Sequence, residues 1–473
     1  MTTMSNKNKY LYIILCAGLF FAACSKEYMD LNENPNQVTT PTLPSLLSTV
    51  THKTGMNNYN TGLITSTYVQ YLANPSAAAA SDIYQQTDNN TTWNALYFTL
   101  ADLYDLRQLA REQGASEYLG VAHVLMAYNL SLVTDLWGDA PFSNAFDRST
   151  LTPTYDKQED LFKASLDMLD SAIVQLGITN ATTKLLGTND LIHGGSREKW
   201  LKTAWALKAR MLNKLSKTAN YNAAAVLAAI DNAYTSNADD ALMKGFSLRN
   251  PWAQLSRNNL GLTLGGWLSE QLVDHLNGTT YGVFDPRIRQ ITDTALGNKY
   301  IGTVNGAGNK GPGNNTVRDE CYVSFNSPWT SDTSGIPIIT FAEVKFIEAE
   351  AALATDVTRA YNAYLAGITA NMDKLLVPDD TERTTYMAAA SVGAANLTRD
   401  LIFKEKYVAL YLNPEAWNDA RRYDYQYKDF TLPLNAVLPT FIRRLAYTSG
   451  ERSTNGKNIP GAPELTERLW WDQ

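Results

Sequence analysis

Cysteine and histidine are scarce in this chain, with three Cys and four His among 473 residues. The histidines, His52, His123, His193 and His275, stand at no ligand spacing, so no metal site and no other cofactor is expected. A basic surplus is missing as well: 40 Lys and Arg face 47 Asp and Glu, for a formal net charge of −7. That excludes a nucleic-acid binder, whose phosphate partner demands a basic face. No apolar run free of polar interruptions reaches the roughly 20 residues that a membrane span needs. Neither a nucleophile elbow nor a His-centred triad occurs. What is present in quantity is apolar residues, 45% of the chain, enough for a large core.

The N-terminus has the layout of an export signal. Lys7 and Lys9 form a small basic region, and Tyr10 to Ala23 follows without a charge. This run is too short to cross a bilayer and has the length of a signal-peptide core. It ends Phe21-Ala22-Ala23-Cys24, small residues followed by Cys, which is the layout of a bacterial lipoprotein box. Cleavage would remove residues 1–23. The Cys24 thiol would take a diacylglycerol, and its freed amine a further acyl chain such as palmitate. Several chains hold a protein firmly where one holds it marginally. The removed segment carries two Lys and no acid, so the mature net charge moves from −7 to −9. Cys16 leaves with the signal and Cys24 is acylated, so Cys321 stands alone. No internal disulfide is then available, and packing must supply the stability.

Residues 24–45 read as anchor and tether, broken by Asn32, Asn34, Pro35, Asn36, Pro41 and Pro44. Residues 46–473 read as one largely helical domain. Helices are predicted over Leu46–Gln70, Trp93–Glu112, Glu117–Leu136, Lys157–Leu176, Arg197–Leu215, Tyr221–Tyr234, Phe341–Leu353, Val357–Lys374 and Leu397–Leu412. Within Trp93–Glu112, Leu96, Leu100, Leu103, Leu106 and Leu109 recur at spacings of three and four. Glu117–Leu136 is apolar nearly all round, which predicts a buried core helix. Several helices fall in consecutive pairs, the manner of helix-hairpin repeats, but no strict 34-residue repeat is found. From about 236 to 340 the helical signal fades while Gly, Asn, Trp and Tyr rise. Loops on a rigid scaffold are where binding tends to reside. The C-terminal Trp470-Trp471 predicts a tail folded back onto the body.

Three patterns bear on chemistry. Gly306-Ala307-Gly308-Asn309-Lys310-Gly311 matches a dinucleotide fingerprint in letters only: Pro312-Gly313 follows where a helix must open. Glu343, Glu348 and Glu350 lie on one predicted helix, and a glycosidase does need two carboxylates. Acids on a helix are usually solvated or paired, so no enzyme is expected. Trp252, Trp267, Tyr281, Phe284, Tyr300, Tyr322, Phe325 and Trp329 fall in the loop-rich stretch. Sugar C–H faces stack on such rings, with a worth of roughly 0.5–1.5 kcal/mol for an aromatic pair. Trp252, Trp267, Tyr281, Tyr300 and Trp329 are the ligand-binding candidates. The competing reading is that these rings pack the loops onto the helices.

Asp30-Leu31-Asn32-Glu33-Asn34-Pro35-Asn36 and Thr134-Asp135-Leu136-Trp137-Gly138-Asp139-Ala140-Pro141-Phe142 resemble motifs of the SusD/RagB-type nutrient-binding outer-membrane lipoproteins of Bacteroidota. Leu169-Asp170-Ser171-Ala172, Phe284-Asp285-Pro286-Arg287, Trp417-Asn418-Asp419 with Arg421-Arg422, and Leu469-Trp470-Trp471-Asp472 also agree. They follow in order along the mature chain. Ala446 departs from the family, which usually has Pro there.

The resemblance implies a mainly α fold, with four tetratricopeptide-like helix pairs on one side and irregular ligand-binding loops packed on the other. It implies a SusC-like TonB-dependent transporter as partner, over which the lipoprotein sits as a lid on the outer membrane, facing the cell surface. It implies a glycan ligand, or in some members peptide. A lipid-anchored helical-repeat scaffold that binds only proteins is the alternative. Asp135, Trp137 and Gly138 of the family motif are expected to be architectural.

Overall fold

The computed structural model describes residues 41–260, 265–310 and 319–473. The signal segment 1–23, Cys24 and most of the tether lie outside the described residues. Leu43–Gln473 forms one unit.

Among the described residues the chain is mainly helical. Helices α1 (Leu43–Tyr68), α2 (Asn90–Glu112), α3 (Ser116–Trp137), α4 (Gln158–Gly177), α5 (Arg197–Lys214) and α6 (Ala223–Ile230) come first. The loop-rich middle holds α7 (Pro251–Leu260), α8 (Glu270–Asn277) and α9 (Ile288–Ile291). Then come α10 (Phe341–Ala352), α11 (Val357–Lys374), α12 (Thr381–Ala390), α13 (Arg399–Ala409), α14 (Glu415–Arg422) and α15 (Ser449–Thr454). Strands are short: β1 (Leu72–Ala73), β2 (Ala140–Pro141), β3 (Tyr155–Asp156), β4 (Ala241–Met243), β5 (Trp267–Leu268) and β6 (Ile336–Ile339). They form three antiparallel pairs, β1 with β5, β2 with β3, and β4 with β6.

Each helix of the array packs on the next, α1 on α2 through to α5 on α6, and α10 on α11. Helix α10 also packs on α5 and α6, which closes the array. This succession of packed helices is the tetratricopeptide-like array. The sequence dictates this order of burial. In α2 the Leu96, Leu100, Leu103 and Leu106 side chains are fully buried on one face, each worth roughly 1.5–3 kcal/mol over exposure. In α3, 20 of 22 residues are buried. It is long and apolar enough to cross a membrane, yet 89% of that apolar stretch lies inside the protein, so it is the central core helix. Close approach needs small residues at the crossings. A Cβ on Gly120 would meet Leu176 at 2.5 Å, and one on Gly367 would meet the Phe346 ring at 2.9 Å. Side-chain caps fix the helix starts: Ser196 on α5, Thr340 on α10, Asp356 on α11 and Thr398 on α13 each accept a backbone N–H.

Pro44, expected to break structure, sits in the first turn of α1, where a missing N–H costs nothing. Helices α7 and α8 occupy a stretch whose helical signal is weak. At 10 and 8 residues they are too short for periodicity to show.

The carboxylates of α10 are paired. Glu343 accepts Arg210 Nε and Nη2 at 2.6 Å each, and Glu350 pairs with Arg422. Glu348 pairs with Lys345 and Arg359. The three glutamates of α10 are therefore braces between helices, not a catalytic set. The family-motif residues are architectural too. Asp135 accepts Lys214 Nζ at 2.5 Å and Asn418 Nδ2 at 2.8 Å. The Trp137 indole donates to Ala446 O at 3.1 Å, and Gly138 ends α3 at φ +83°. The C-terminal tail folds back as expected: Trp471 is fully buried between Lys214 and Arg421, whose charges lie 5.6 and 4.8 Å from its ring. Cys321 is buried with a free thiol, which burial pushes up to about 11.

Candidate functional site

Three loops meet on the α8 side of the molecule, at residues 70–85, 303–309 and 428–437. Their backbones are stitched directly. Ala78 N donates to Gly306 O at 2.9 Å, Asn309 N to Pro75 O at 2.8 Å, Leu434 N to Asn305 O at 3.0 Å and Val437 N to Ile83 O at 2.9 Å. Gly306 lies at φ +80°, and a Cβ there would stand 1.8 Å from Leu434 O. The Gly-x-Gly letters thus serve a close approach of loops, not a phosphate. Gly311 lies outside the described residues. Asp82 is the side-chain hub, fully buried. One of its oxygens accepts Asn74 N at 2.8 Å and Gly306 N at 3.3 Å. Burial pushes its carboxyl up to about 6, against the lowering effect of those N–H bonds.

The loops frame an open cleft of about 440 Å³ above the N-terminal turn of α8. Ser269 caps that turn by accepting Gln271 N, and Gly278 closes the helix in the left-handed conformation. Glu270, Gln271 and Asp274 project from α8 into the cleft; Thr280, Asn305 and Asp429 face them. The amides are held in place. Asn305 Nδ2 donates to Leu72 O at 2.9 Å while its oxygen accepts Ser269 Oγ at 2.6 Å. Gln70 Nε2 donates to Thr431 O at 2.7 Å, and Gln271 Nε2 to Lys428 O at 3.1 Å. With amide N–H groups engaged on backbone carbonyls, the lining left for a ligand is rich in acceptors. Glu270 pairs with Lys310 at the rim. Asp274 is raised by burial and by the nearby charges of Glu270 and Asp429. Gln70 and Asp429 both hold positive φ, 54° and 60°, without being Gly. Such backbone conformations persist where surrounding structure imposes them, often at ligand sites. Three other cavities are larger, about 480, 520 and 550 Å³, but none is walled by these joined loops.

The aromatic candidates divide. Trp252, Trp267 and Trp329 are buried, at 2, 2 and 6% exposure, and form no surface platform. Trp252 meets Tyr59 edge-on at 4.7 Å. Trp267 pairs with Ala73 across the β1–β5 ladder, and the Trp329 indole donates to Tyr411 O at 3.1 Å. Large apolar rings at the seam between loops and helices gain more from packing than from solvent. Tyr281 and Tyr300 are half-buried. Tyr281 follows the cleft residue Thr280, packs edge-on to His275 at 4.7 Å and carries the Lys404 ammonium 4.8 Å from its ring. Burial pushes its hydroxyl up to about 12. His275 below it is buried and pushed down to about 3 by desolvation, so it stays neutral. Tyr300 lies 6.3 Å from Phe284.

Nothing in the sequence singles out Glu270, Asp274, Asn305 and Asp429. The one local signal is the Ser269 to Gly278 cap pair, which marks a short helix but not what it faces.

The profile of a family described as SusD-like, starch-binding and associating with the outer membrane, matches residues 35–447. No curated protein sequence is detectably similar to the chain. Among solved structures, a SusD homolog from Bacteroides uniformis superposes with a TM-score of 0.75 at 20% identity, covering 91% of this chain and 99% of that one. A chitin-binding protein gives 0.75 at 22%, covering 91% and 100%. A chitin-binding SusD homolog from Flavobacterium johnsoniae gives 0.73 at 20%, covering 92% and 96%. At these identities the likeness establishes a shared fold.

Proposed function

The chain belongs to the SusD-like family of starch-binding proteins that associate with the outer membrane, and from that premise we propose that it captures a glycan in the cleft above α8 and passes it to a SusC-like TonB-dependent transporter. It is a binding protein and not an enzyme. The observation that carries the reading is the acceptor-rich lining of a cleft walled by interlocked loops. Sugar hydroxyls are donors, and a carboxylate accepts them in charge-assisted bonds roughly twice as strong as neutral ones. Because Gln70, Gln271 and Asn305 are already fixed by hydrogen bonds, little side-chain freedom is lost on binding.

Attachment in this proposal runs through Cys24. The helical array is the side offered to the transporter. Chitin and starch fragments are the first ligands to test, since chitin-binding proteins share the fold and the family is described as starch-binding.

Two measurements test this. Calorimetric titration of chitin-derived, starch-derived and peptide ligands identifies the class, and saturable binding of an oligosaccharide is expected. Affinity purification of the membrane-anchored protein should recover a β-barrel transporter. Recovery of other proteins only, with no saccharide bound, would replace the proposal with a protein-binding scaffold.

A further inference from the structure

A second cavity, of about 550 Å³, lies between the first turn of α5, strand β4 and the last turn of α11, and shares no residue with the cleft. Its cations come from three elements distant in sequence: Lys199 from α5, Lys244 just after β4, and Lys374 at the end of α11. Its carboxylates are already engaged. Asp190 accepts the N–H groups of Ile192, His193 and Gly195 at 3.0, 3.1 and 2.8 Å and the Trp200 indole at 2.7 Å. Asp240 accepts Phe341 N at 2.7 Å and pairs with Lys374 at 2.9 Å. Among the described residues Lys199 and Lys244 form no ion pair, and the lining carries three ammonium groups against two carboxylates, a net surplus of one positive charge.

His193 adds no charge to this balance. Its Nε2 lies 2.7 Å from the Thr203 hydroxyl, and burial, with Lys199 nearby, holds its ring neutral. Leu191 and Leu242 give the cavity an apolar wall. A ligand there is therefore expected to carry a negative group on a compact body with an apolar face.

We propose that this cavity is an oxyanion site, in which Lys199 and Lys244 hold the carboxylate or phosphate group of a molecule about the size of one sugar unit. A uronate and a sugar or headgroup phosphate share this chemistry. The site would give the protein a second specificity, for charge, apart from the acidic cleft above α8.

The test uses the purified protein at low ionic strength, titrated with inorganic phosphate and with D-glucuronate, and with glucose as the neutral control. One saturable site for at least one anion is expected, weakened by salt, with no response to glucose. Lys199→Gln and Lys244→Gln together should weaken it by about tenfold or more, the loss expected for charge-assisted hydrogen bonds. The melting temperature should not change, because neither lysine braces the fold. Substituting Asp274 and Asp429 in the cleft should leave anion binding intact, which separates this site from the glycan site. Phosphate binding alone would mark a phosphoryl ligand and glucuronate alone a sugar acid; both sustain the site. No saturable anion binding, or equal binding by the doubly substituted protein, would overturn it.

Discussion

The backbone N–H of Gly306 donates to the Asp82 carboxylate at 3.3 Å, joining two loops 224 residues apart in sequence. The bond ties together two of the loops that frame the cleft, and the cost of burying Asp82 makes it pH-dependent. The folded protein holds a proton up to about pH 6, whereas the ordinary carboxyl value is 3.8. Between those values the folded state binds more protons than the unfolded one, so stability falls as pH rises from about 4 to about 7. The ionised form costs about 3 kcal/mol at neutral pH. Asp82→Asn keeps one oxygen for the Asn74 and Gly306 N–H groups and removes the charge. Urea denaturation should show it about 1–3 kcal/mol more stable than wild type at pH 7, with the dependence over pH 4–7 flattened.

Trp252, Trp267 and Trp329 are predicted to matter for stability and not for ligand capture. Each substitution to Ala should cost about 3–5 kcal/mol, as for large buried rings elsewhere. Chemical denaturation measures this directly. Glycan affinity of whatever fraction remains folded should match wild type. A large loss of affinity with an unchanged denaturation midpoint would show instead that the rings contact ligand.

Arg287 is fully buried and binds both Asp285 and Glu405, at 2.6 and 2.5 Å. Burial alone would raise Glu405, but the Arg287 charge, together with Lys404 and the Tyr386 hydroxyl, outweighs it and holds the carboxyl down to about 2. Arg287→Met leaves the buried Asp285 without its cation and Glu405 with Lys404 alone, at 3.2 Å, and should destabilise by about 3–5 kcal/mol at pH 7. The loss should shrink as pH falls toward 4, because the carboxylates can then take up protons. Denaturation midpoints at pH 7 and pH 4.5 test both parts.

Cys24→Ala should release the protein from the membrane fraction and abolish incorporation of labelled palmitate, while the purified protein melts as wild type does. Growth on the cognate glycan should fail. Normal growth would contradict delivery by a tethered lid.

Much of the scaffold is legible in the sequence because long helices repeat their apolar residues many times. Val357–Lys374 is predicted to the residue, and Trp93–Glu112 and Glu117–Leu136 to within three. Helices α12 and α14 escape notice: at 10 and 8 residues they complete too few turns to show a stripe, and α14 buries the ion-paired Asp419 and Arg422 beside Ala416, Trp417 and Ala420. The site is less legible for a different reason. Aromatic rings suited to stacking on sugars are equally suited to filling a seam, and nothing in the sequence around Trp252 or Trp329 distinguishes the two uses. The cleft depends on Gln70, Asp274, Asn305 and Asp429, ordinary polar residues that become neighbours only through tertiary loop contacts.

The glycan site in the cleft is tested most directly by calorimetric titration of chitin- and starch-derived oligosaccharides into wild type and into Asp274→Ala/Asp429→Ala. Both residues line the cleft, and Asp429 is exposed at its rim. Wild type should bind at least one oligosaccharide saturably, and the double substitution should weaken that binding by about tenfold or more with little change in melting temperature. Equal affinity in the two proteins would contradict the account and place the ligand elsewhere.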